Sequence, residues 1–376
     1  MDMSVKRTVV VLCSGFGLGF YIPGLLISEK LRRLGIPTEV QVFETLLPPS
    51  KIQMVEKNRQ AYHQSFRVAL ASQKVPGDTR ESVDPSAVES LLTSWQEADT
   101  RHFICLSGHW VHILDLYRER IPDGQIQADL LYLDADLSPS WKWLRKLKPE
   151  YARGCREVRL YDHARLEVLY SIDMNVDAPL PYSSRTKRLV VHGGGWGIGT
   201  FEQRIPQIEN AGHEIDVVCY TKSEAATTSS ARRYFMDDPS WRTWHRNDAG
   251  ELTFPPFGSI DSSDEPIFTP QAKCHGLHRI IRGAQAIVSK PGAGTLIDSF
   301  GSATPLIMLE PFGPHEERNA RVWLACRFGV PYHVWSEAGY PTSMLEELHL
   351  NLLARRREVS DYAQAYAEAV PAHSLR

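Results

Sequence analysis

The chain opens on an alternation of apolar runs and polar turns that predicts a strand, a helix and a second strand. Residues 8–13 are apolar, residues 14–19 form a glycine-rich turn, and apolar positions recur at helical spacing over 22–34. Gly35 ends this helix, and 39–43 is the next predicted strand. A strand, a glycine loop, a helix and a strand in this order are typical of a βαβ unit in a doubly wound sheet.

The same pattern returns in the second half of the chain. Residues 189–191 predict a strand, 192–197 form a second glycine-rich loop, a helix runs to Asn210, and 215–220 predict the following strand. Two such units predict an α/β protein built from two Rossmann-like, doubly wound domains that face a cleft.

The proline-containing polar stretch between these units predicts the domain boundary. The stretch 177–187 holds two prolines and several polar residues, which is typical of a linker. We therefore predict an N-terminal Rossmann-like domain over 1–180 and a C-terminal one over 181–340. A helical segment over 341–376 is expected to pack back on the domains. The polar stretch 221–271 predicts a long loop.

Composition narrows the class of protein. The 376 residues carry a formal net charge of -3, so no overall positive field favours nucleic acid. The six cysteines form no CxxC pair, which argues against a zinc cage or a redox dithiol. Cys13, Cys105 and Cys219 lie in apolar runs and are expected to be buried thiols, as in a reducing compartment.

Targeting signals are not apparent in the sequence. The N-terminal residues run directly into a strand without the apolar region of a signal peptide, and no stretch of about 18 apolar residues occurs. We therefore expect a cytoplasmic protein. Residues 141–148 alternate aromatic and basic side chains, which suits either peripheral contact with the inner membrane face or a solvated helix that buries Trp141, Leu144 and Leu147.

The strongest chemical signal is the turn over 289–298. A short apolar strand ends in a small-residue turn that opens a helix, and Gly292 and Gly294 allow close approach of a ligand to the backbone. The free N–H groups at the start of the helix suit a phosphate, and Asp298 lies one turn further on, within reach of ribose hydroxyls. The alternative is a plain strand-to-helix turn capped by Thr295.

A second polar loop over 311–320 follows the next predicted strand and also opens a helix. The two loops therefore share the carboxyl edge of one parallel sheet, where ligands of α/β proteins bind. Polar groups here suit sugar hydroxyls, although acidic residues also favour any solvated helix N-terminus.

From 286 to 332 the sequence resembles the donor-binding half of the GT-B glycosyltransferases. It is most similar to the branch that holds the peptidoglycan N-acetylglucosaminyltransferase (MurG-like) and the plant monogalactosyldiacylglycerol synthases. The glycine loops over 14–19 and 192–197 resemble the other two glycine turns of this family. The rest of the chain matches it only in general layout.

The resemblance implies roles for individual residues on the donor side. The donor phosphates would lie against Gly292, Ala293, Gly294 and Thr295. Asp298 occupies the position of an acidic ribose ligand.

The transferred sugar would contact Glu317 and Asn319, with His315 beside them in the donor-binding set. The glycine loops around Gly17 and Gly194 would face the cleft from opposite sides.

The acceptor-side loop, with Gly17, Gly19 and Phe20, departs from the family pattern. Phe20 stands where the family often has a histidine near the acceptor. Since phenylalanine cannot accept a proton, the catalytic base must lie elsewhere or be unnecessary. The acceptor class is open for the same reason.

Three residues are candidates for the base. His109 follows the predicted strand 103–106 and, as a neutral histidine at the cleft edge, has a suitable pKa; the simpler interpretation is a packed or capping residue. Asp134 and Asp136 follow the predicted strand 130–133, and Asp136 also fits a helix N-cap.

Two groupings raise the question of a metal. Asp134 and Asp136 form a DxD, the metal site of the other glycosyltransferase fold, but that fold has no second glycine-loop domain. Cys274, His275 and His278 have no evident acidic partner and are expected to be unrelated to one another. We therefore predict no metal and no cofactor.

The predicted function is transfer of a sugar from a UDP-sugar to a small-molecule or lipid acceptor, with inversion and without a metal. Two alternatives stay open. One is a UDP-sugar hydrolase or 2-epimerase on the same fold, and the other is a nonenzymatic subunit that binds a nucleotide-sugar.

Overall fold

The computed structural model describes residues 8–73, 78–226, 230–260 and 266–370. Two sheets rich in parallel strands, each flanked by helices, form the two halves of the molecule. The first sheet spans 9–159 of the chain and the second spans 188–331.

The N-terminal half begins with β1 and α1 and alternates strands with helices. Its strands are β1 (Val9–Cys13), β2 (Thr38–Val42), β3 (His102–Cys105), β4 (Gln127–Tyr132) and β5 (Arg156–Arg159), followed by a hairpin of β6 (Tyr161–Asp162) and β7 (Glu167–Val168). Its helices are α1 (Leu18–Arg33), α2 (Pro49–Gln64), α3 (Phe66–Ser72), α4 (Pro85–Glu97), α5 (Val111–Arg120) and α6 (Pro139–Leu147).

In this half the strand order is β2-β1-β3-β4-β5, and every pairing is parallel. All five residues of β1 are buried, as expected for a parallel strand with helices on both faces.

The C-terminal half repeats the plan on a larger sheet. Its strands are β8 (Arg188–His192), β9 (Glu214–Val218), β10 (Arg232–Asp237), β11 (Phe254–Ile260), β12 (Thr269–Gln271), β13 (Ala286–Ser289), β14 (Leu306–Met308) and β15 (Gly329–Pro331). Its helices are α7 (Ile205–Asn210), α8 (Gly276–Gly283), α9 (Ala293–Ser302), α10 (Pro314–Ala325), α11 (Tyr332–Glu337), α12 (Thr342–Arg356) and α13 (Tyr362–Ala369).

Here the strand order is β12-β11-β10-β9-β8-β13-β14-β15. The strands from β10 to β15 in this order pair in parallel, while β11 and β12 add an antiparallel edge. Short 3-10 turns complete the structure at Phe43–Leu46, Arg80–Ser82, Gly108–Trp110, Tyr182–Ser184, Phe201–Arg204 and Lys222–Ala226.

The stretch 221–271 departs from the expected long loop, because β10, β11 and β12 lie within it. β10 alternates buried Tyr234 and Met236 with more exposed residues, so its signal is weak in sequence. β11 contains Pro255 and Pro256, which cannot donate ladder hydrogen bonds, and its register with β12 shifts there.

Helix boundaries differ from expectation at both ends of the chain. α1 begins at Leu18 instead of Ile22, because Gly17 takes a φ of 75° and turns the chain directly into the helix. The C-terminal segment is two helices, with Asp361 capping α13 through the N–H of Gln364. The hydroxyl of Tyr362 donates to Asp129 on β4 at 2.7 Å, so the chain end returns to the first sheet.

The basic and aromatic segment over 141–148 is mostly α6. Trp141 is 1% exposed and packs in the core beside Tyr132, whereas Leu147 is 39% exposed. Across the described residues, every helix is too short or too polar to cross a bilayer. All six cysteines are free thiols, and Cys13, Cys105 and Cys219 are buried as expected.

Candidate functional site

The glycine loops of the two halves meet across a cleft. Each follows a strand at the carboxyl edge of its sheet, the first after β1 and the second after β8. A Cβ atom on Gly195 would lie 2.6 Å from Cγ of Leu18, and one on Gly294 would lie 3.8 Å from Cα of Gly19. Glycine at 195 is therefore what lets the start of α1 approach the opposite sheet.

A cavity lies in this cleft between α1 and the second sheet. Four of the residues predicted for the donor site line it, namely Gly194, Gly294, Thr295 and Asp298. Three polar residues that the sequence did not predict for the donor site also line it: His192, Asp237 and His275.

The N-terminus of α9 opens beside this cavity. Gly292 precedes the helix, Ala293 is its first residue, and none of the described side chains caps it. Its first-turn N–H groups are therefore unsatisfied within the helix, and the positive end of the helix dipole lies with them. A Cβ on Gly292 would lie 2.9 Å from Oε1 of Glu316 and 3.0 Å from Nζ of Lys290, so a side chain there would displace this ion pair.

His192, the last residue of β8, places an unused donor in the cavity. Its Nδ1 accepts a hydrogen bond of 3.0 Å from the N–H of Gly194. Burial lowers the pKa of His192 to about 4, so the ring is neutral and its proton lies on Nε2. The side chain is 2% exposed, and Nε2 has no hydrogen-bond partner within the described part of the chain. A buried unpaired donor in a cavity wall is a binding group for an acceptor oxygen.

Asp298 is held by two histidines. Its Oδ1 faces Nε2 of His275 at 2.9 Å and Nδ1 of His278 at 3.1 Å. Burial raises the pKa of Asp298, but His275 and His278 outweigh burial and hold it below its usual range. The same pairing raises the pKa of His275 against the effect of its own burial.

The expectation that Cys274, His275 and His278 have no acidic partner was wrong. Asp298 is the partner of His275 and His278, brought to them across 20 residues or more of chain by the packing of α9 on α8. The ligating atoms of Cys274, His275 and His278 lie within 4.8 Å of one another. The absence of a bound metal stays a prediction.

No protein-family model matches the chain, and no curated protein matches it by sequence. Solved structures match its shape over nearly their whole length. The glycosyltransferase SnogD from Streptomyces nogalater is 14% identical, with a TM-score of 0.54 over 96% of this chain and 98% of that one. MurG from Acinetobacter baumannii is 11% identical, with a TM-score of 0.55 over the same shares.

SsfS6 from Streptomyces sp. SF2575, a glycosyltransferase complexed with thymidine diphosphate, is 12% identical. Its TM-score is 0.52 over 96% of this chain and 100% of that one. The chain has the GT-B fold. The two Rossmann-like halves that the sequence predicted are thereby confirmed.

The second polar loop, over 311–320, is held in place by hydrogen bonds and an ion pair. Glu316 accepts from Nζ of Lys290 at 2.7 Å and from the N–H of Phe312 at 2.6 Å, and it is 3% exposed. His315 is also buried, whereas Glu317 is exposed at the surface of α10. The sequence motif includes all three residues, and only packing distinguishes them.

Asn319 bridges the two halves. Its Oδ1 accepts from the N–H of Ala135 at 2.7 Å, and its Nδ2 donates to Asp134 at 2.8 Å and to the carbonyl of Pro291 at 2.9 Å. Asn319 and Asp134 are both buried. A sugar contact by Asn319 and a base role for Asp134 stay predictions, and in this structure the two side chains bind each other.

His109 lies one layer behind the cleft. Its ring stacks on Phe43 at 5.1 Å between centroids, and its Nδ1 is 3.1 Å from Oγ1 of Thr79. Burial lowers its pKa to about 4. Phe16 contacts both His109 and Trp196 of the opposite glycine loop. His109 is not among the described residues that line the cavity.

Asp136 and Phe20 also lie outside the cavity lining recorded for the described residues. Asp136 accepts from the N–H of Leu137 at 2.7 Å and pairs with Lys142 at 3.2 Å. Burial raises the pKa of Asp136, but these two partners outweigh it and lower the pKa. Phe20 lies in the first turn of α1, partly buried against the core.

His63 of α2 forms hydrogen bonds to the opposite half of the molecule on the other side of the cleft. Its Nδ1 is 2.9 Å from the carbonyl of Gly197, and its Nε2 is 2.9 Å from Oε1 of Glu224. Because both partners only accept, both ring nitrogens must be protonated to satisfy them. Burial lowers the pKa of His63, but Glu224 and Gly197 outweigh burial and raise it. No motif marks this histidine in the sequence, since its partners belong to the other half.

Proposed function

We propose that the protein transfers a hexose-type sugar from a UDP-sugar to a hydroxyl of a small-molecule or lipid acceptor, with inversion. One observation carries the donor assignment. The uncapped N-terminus of α9 and the unpaired Nε2–H of His192 adjoin a single cavity. A diphosphate has the negative oxygens that both would bind.

In the proposed reaction the acceptor oxygen attacks C1 of the sugar while the bond from C1 to the diphosphate breaks. Negative charge then grows on the leaving nucleoside diphosphate. The N–H groups of Gly294 and Thr295 and the neutral ring of His192 are fixed donors that stabilise this charge without reorganising. We propose that no metal is needed for this reason, and no cofactor, since the UDP-sugar is a substrate.

The two alternatives make different products. A hydrolase or 2-epimerase would release UDP or form the epimer from the donor alone, whereas a nonenzymatic subunit would bind the nucleotide-sugar without turnover. The GT-B neighbours named above are glycosyltransferases, which favours transfer.

The deciding experiment is a thermal-shift panel with UDP, dTDP, GDP and ADP, followed by UDP-glucose, UDP-galactose and UDP-N-acetylglucosamine. A ligand at 100 times its Kd stabilises the folded protein by about 2.7 kcal/mol, which raises the midpoint measurably. We expect UDP to give the largest shift. A larger shift with dTDP, the class of nucleotide in the SsfS6 complex, would change the donor. Equal midpoints with all four nucleotides would end the proposal.

A further inference from the structure

A second cavity adjoins the first in the cleft. The two share three wall residues, Leu18, Gly195 and Asp237. Since Leu18 packs directly on Gly195, these two residues form a partition, and Asp237 reaches both sides of it. A group in the second cavity is therefore adjacent to the proposed donor site.

Asp237 is the last residue of β10 and is only partly buried. Among the described residues its carboxylate has no hydrogen-bond partner, unlike Asp298, Asp134 and Glu316 nearby. Burial raises its pKa to about 6, and His275 and Arg59 act weakly against this. A carboxylate without a partner, accessible from two cavities and ionised near neutral pH, has the properties of a general base.

The second cavity is also lined by the guanidinium of Arg59. Arg59 of α2 lies over the ring of Tyr220, with Cζ 4.8 Å from the centroid, and its Nε is buried without a partner in the described chain. Its neighbour Arg242 is paired with Glu56 at 3.0 Å. Arg59 interacts with the side chain of Tyr220 and, at longer range, with the carboxylate of Asp237, but no described carboxylate forms an ion pair with it, so its guanidinium can bind a further anion.

Trp196, Trp241 and Trp244 also line the second cavity. Their rings suit the apolar face of a compact ring compound. The charged residues in the same lining, Glu56, Asp238 and Arg242 among them, favour a polar acceptor over the apolar chain of a lipid.

We propose that the second cavity binds the acceptor, a small hydroxylated molecule that carries an acidic group, and that Asp237 removes the proton from its reacting hydroxyl. This inference rests on the proposed function. Asp237 takes the hydroxyl proton, the freed oxygen forms the bond to C1 of the sugar, and the electron pair of the broken C1–O bond leaves with the nucleoside diphosphate. Arg59 binds the acidic group of the acceptor.

The charged and titratable groups near Asp237 come from several elements. They are Arg59 and Glu56 on α2, Asp238 and Arg242 after β10, His275 before α8, Asp298 on α9 and His192 on β8. Asp298 pairs with His275, and Glu56 pairs with Arg242, so Asp237 is the unpaired group expected to titrate near pH 6. The rate of transfer should rise with pH through this value.

The test compares Asp237→Asn with wild type and with the control Asp248→Asn, an exposed carboxylate on the loop after β10. The substrates are UDP-glucose with water, glucose, glucuronate or glucose 6-phosphate as acceptor, read by mass spectrometry and by UDP release. Asp237→Asn should lower kcat about 10²–10⁴-fold, leave the Kd of UDP within about twofold and abolish the limb of the pH profile near 6. Folded Asp237→Asn protein that keeps kcat within about threefold would overturn the base assignment.

Arg59→Met tests the acceptor class. Wild type should prefer glucuronate or glucose 6-phosphate to glucose by at least about tenfold in kcat/KM, and the variant should lose this preference. Preference for glucuronate indicates a carboxylate, and preference for glucose 6-phosphate a phosphate. Equal use of glucose and the acidic probes would overturn the proposed acceptor class. It would also be overturned if an enzyme that hydrolyses UDP-glucose transferred sugar to neither acidic probe. Failure of wild type to bind UDP would instead remove the proposed function itself.

Discussion

The side-chain amide of Asn319 donates a hydrogen bond of 2.8 Å to the carboxylate of Asp134 and joins the two halves of the molecule. Asn319 lies on α10 beside the second sheet, and Asp134 follows β4 of the first sheet. The same amide group accepts from the N–H of Ala135, so one side chain satisfies two buried groups of the opposite domain. This contact sets the spacing of the cleft near the proposed donor site.

Asn319→Ala should destabilise the protein by about 1–3 kcal/mol, because it leaves the carboxylate of Asp134 and the N–H of Ala135 buried without partners. Urea unfolding at pH 7 measures the change. Asp134→Asn is the matched variant, since it keeps an acceptor for Asn319 and removes a buried charge whose pKa burial raises. It should unfold at the wild-type urea concentration or above. Wild-type stability in Asn319→Ala would show that the contact is not a structural one.

His192→Phe should weaken UDP binding about 10–100-fold, since a hydrogen bond to a charged oxygen contributes about 1.5–3 kcal/mol. Calorimetry measures the Kd. Because burial holds the pKa of His192 near 4, the affinity of wild type should not vary with pH between 6 and 8 on account of this residue. His213→Phe, at a ring packed against Trp335 away from the cleft, is the control. Equal affinities in the two variants would remove His192 from the donor site.

Asp298→Ala should weaken UDP binding by about 1–3 kcal/mol if its carboxylate also reaches the ribose hydroxyls. The measurement is calorimetry on protein whose circular dichroism matches wild type. Asp298→Asn separates the two roles, because it retains an acceptor for the ribose but loses the charge that holds His275. Unchanged UDP affinity in folded Asp298→Ala would leave Asp298 as a partner of the histidines alone.

The pairing of Asp298 with His275 also predicts a pH dependence of stability. The pKa of His275 is raised in the folded protein, so its contribution is complete below the unfolded value of about 6.5 and is lost as pH rises through the folded value. The free energy of unfolding of wild type should exceed that of Asp298→Asn most at pH 6 and by less at higher pH. A difference that grows with pH above 7 would contradict the pairing.

Turnover should persist in excess EDTA, because the proposed phosphate ligands are backbone N–H groups and a histidine. The carboxylate of Asp134 accepts a hydrogen bond from Asn319, and that of Asp136 accepts one from Leu137 and pairs with Lys142. Loss of activity on chelation with recovery on Mn²⁺ would favour the DxD, and recovery on Zn²⁺ would favour the group of Cys274, His275 and His278.

The local features of the fold were predictable from sequence. β1, β8 and β13 are short apolar runs followed by glycine turns, and the spacing of their apolar residues is independent of the rest of the chain. The antiparallel edge formed by β10, β11 and β12 was not predictable from sequence, because a strand exposed on one face and interrupted by prolines resembles a loop.

The candidate site was likewise only partly predictable from sequence. Sequence placed Gly194, Gly294, Thr295 and Asp298 in the cavity wall, because each follows a strand of one parallel sheet. It missed His192 because a histidine at the end of a strand has no motif, and its importance depends on which ring nitrogen is left unpaired.

The sequence by itself determined the two Rossmann-like units and their glycine turns, since both depend on residues close together in the chain. Tertiary structure decided which polar side chains hold the two halves together by hydrogen bonds and which have no partner and can take part in chemistry. Asn319 and Asp134 satisfy each other across the cleft, while Asp237 faces two cavities without a partner among the described residues. These outcomes depend on contacts between distant segments, because a buried polar group keeps its reactivity only where packing gives it no partner.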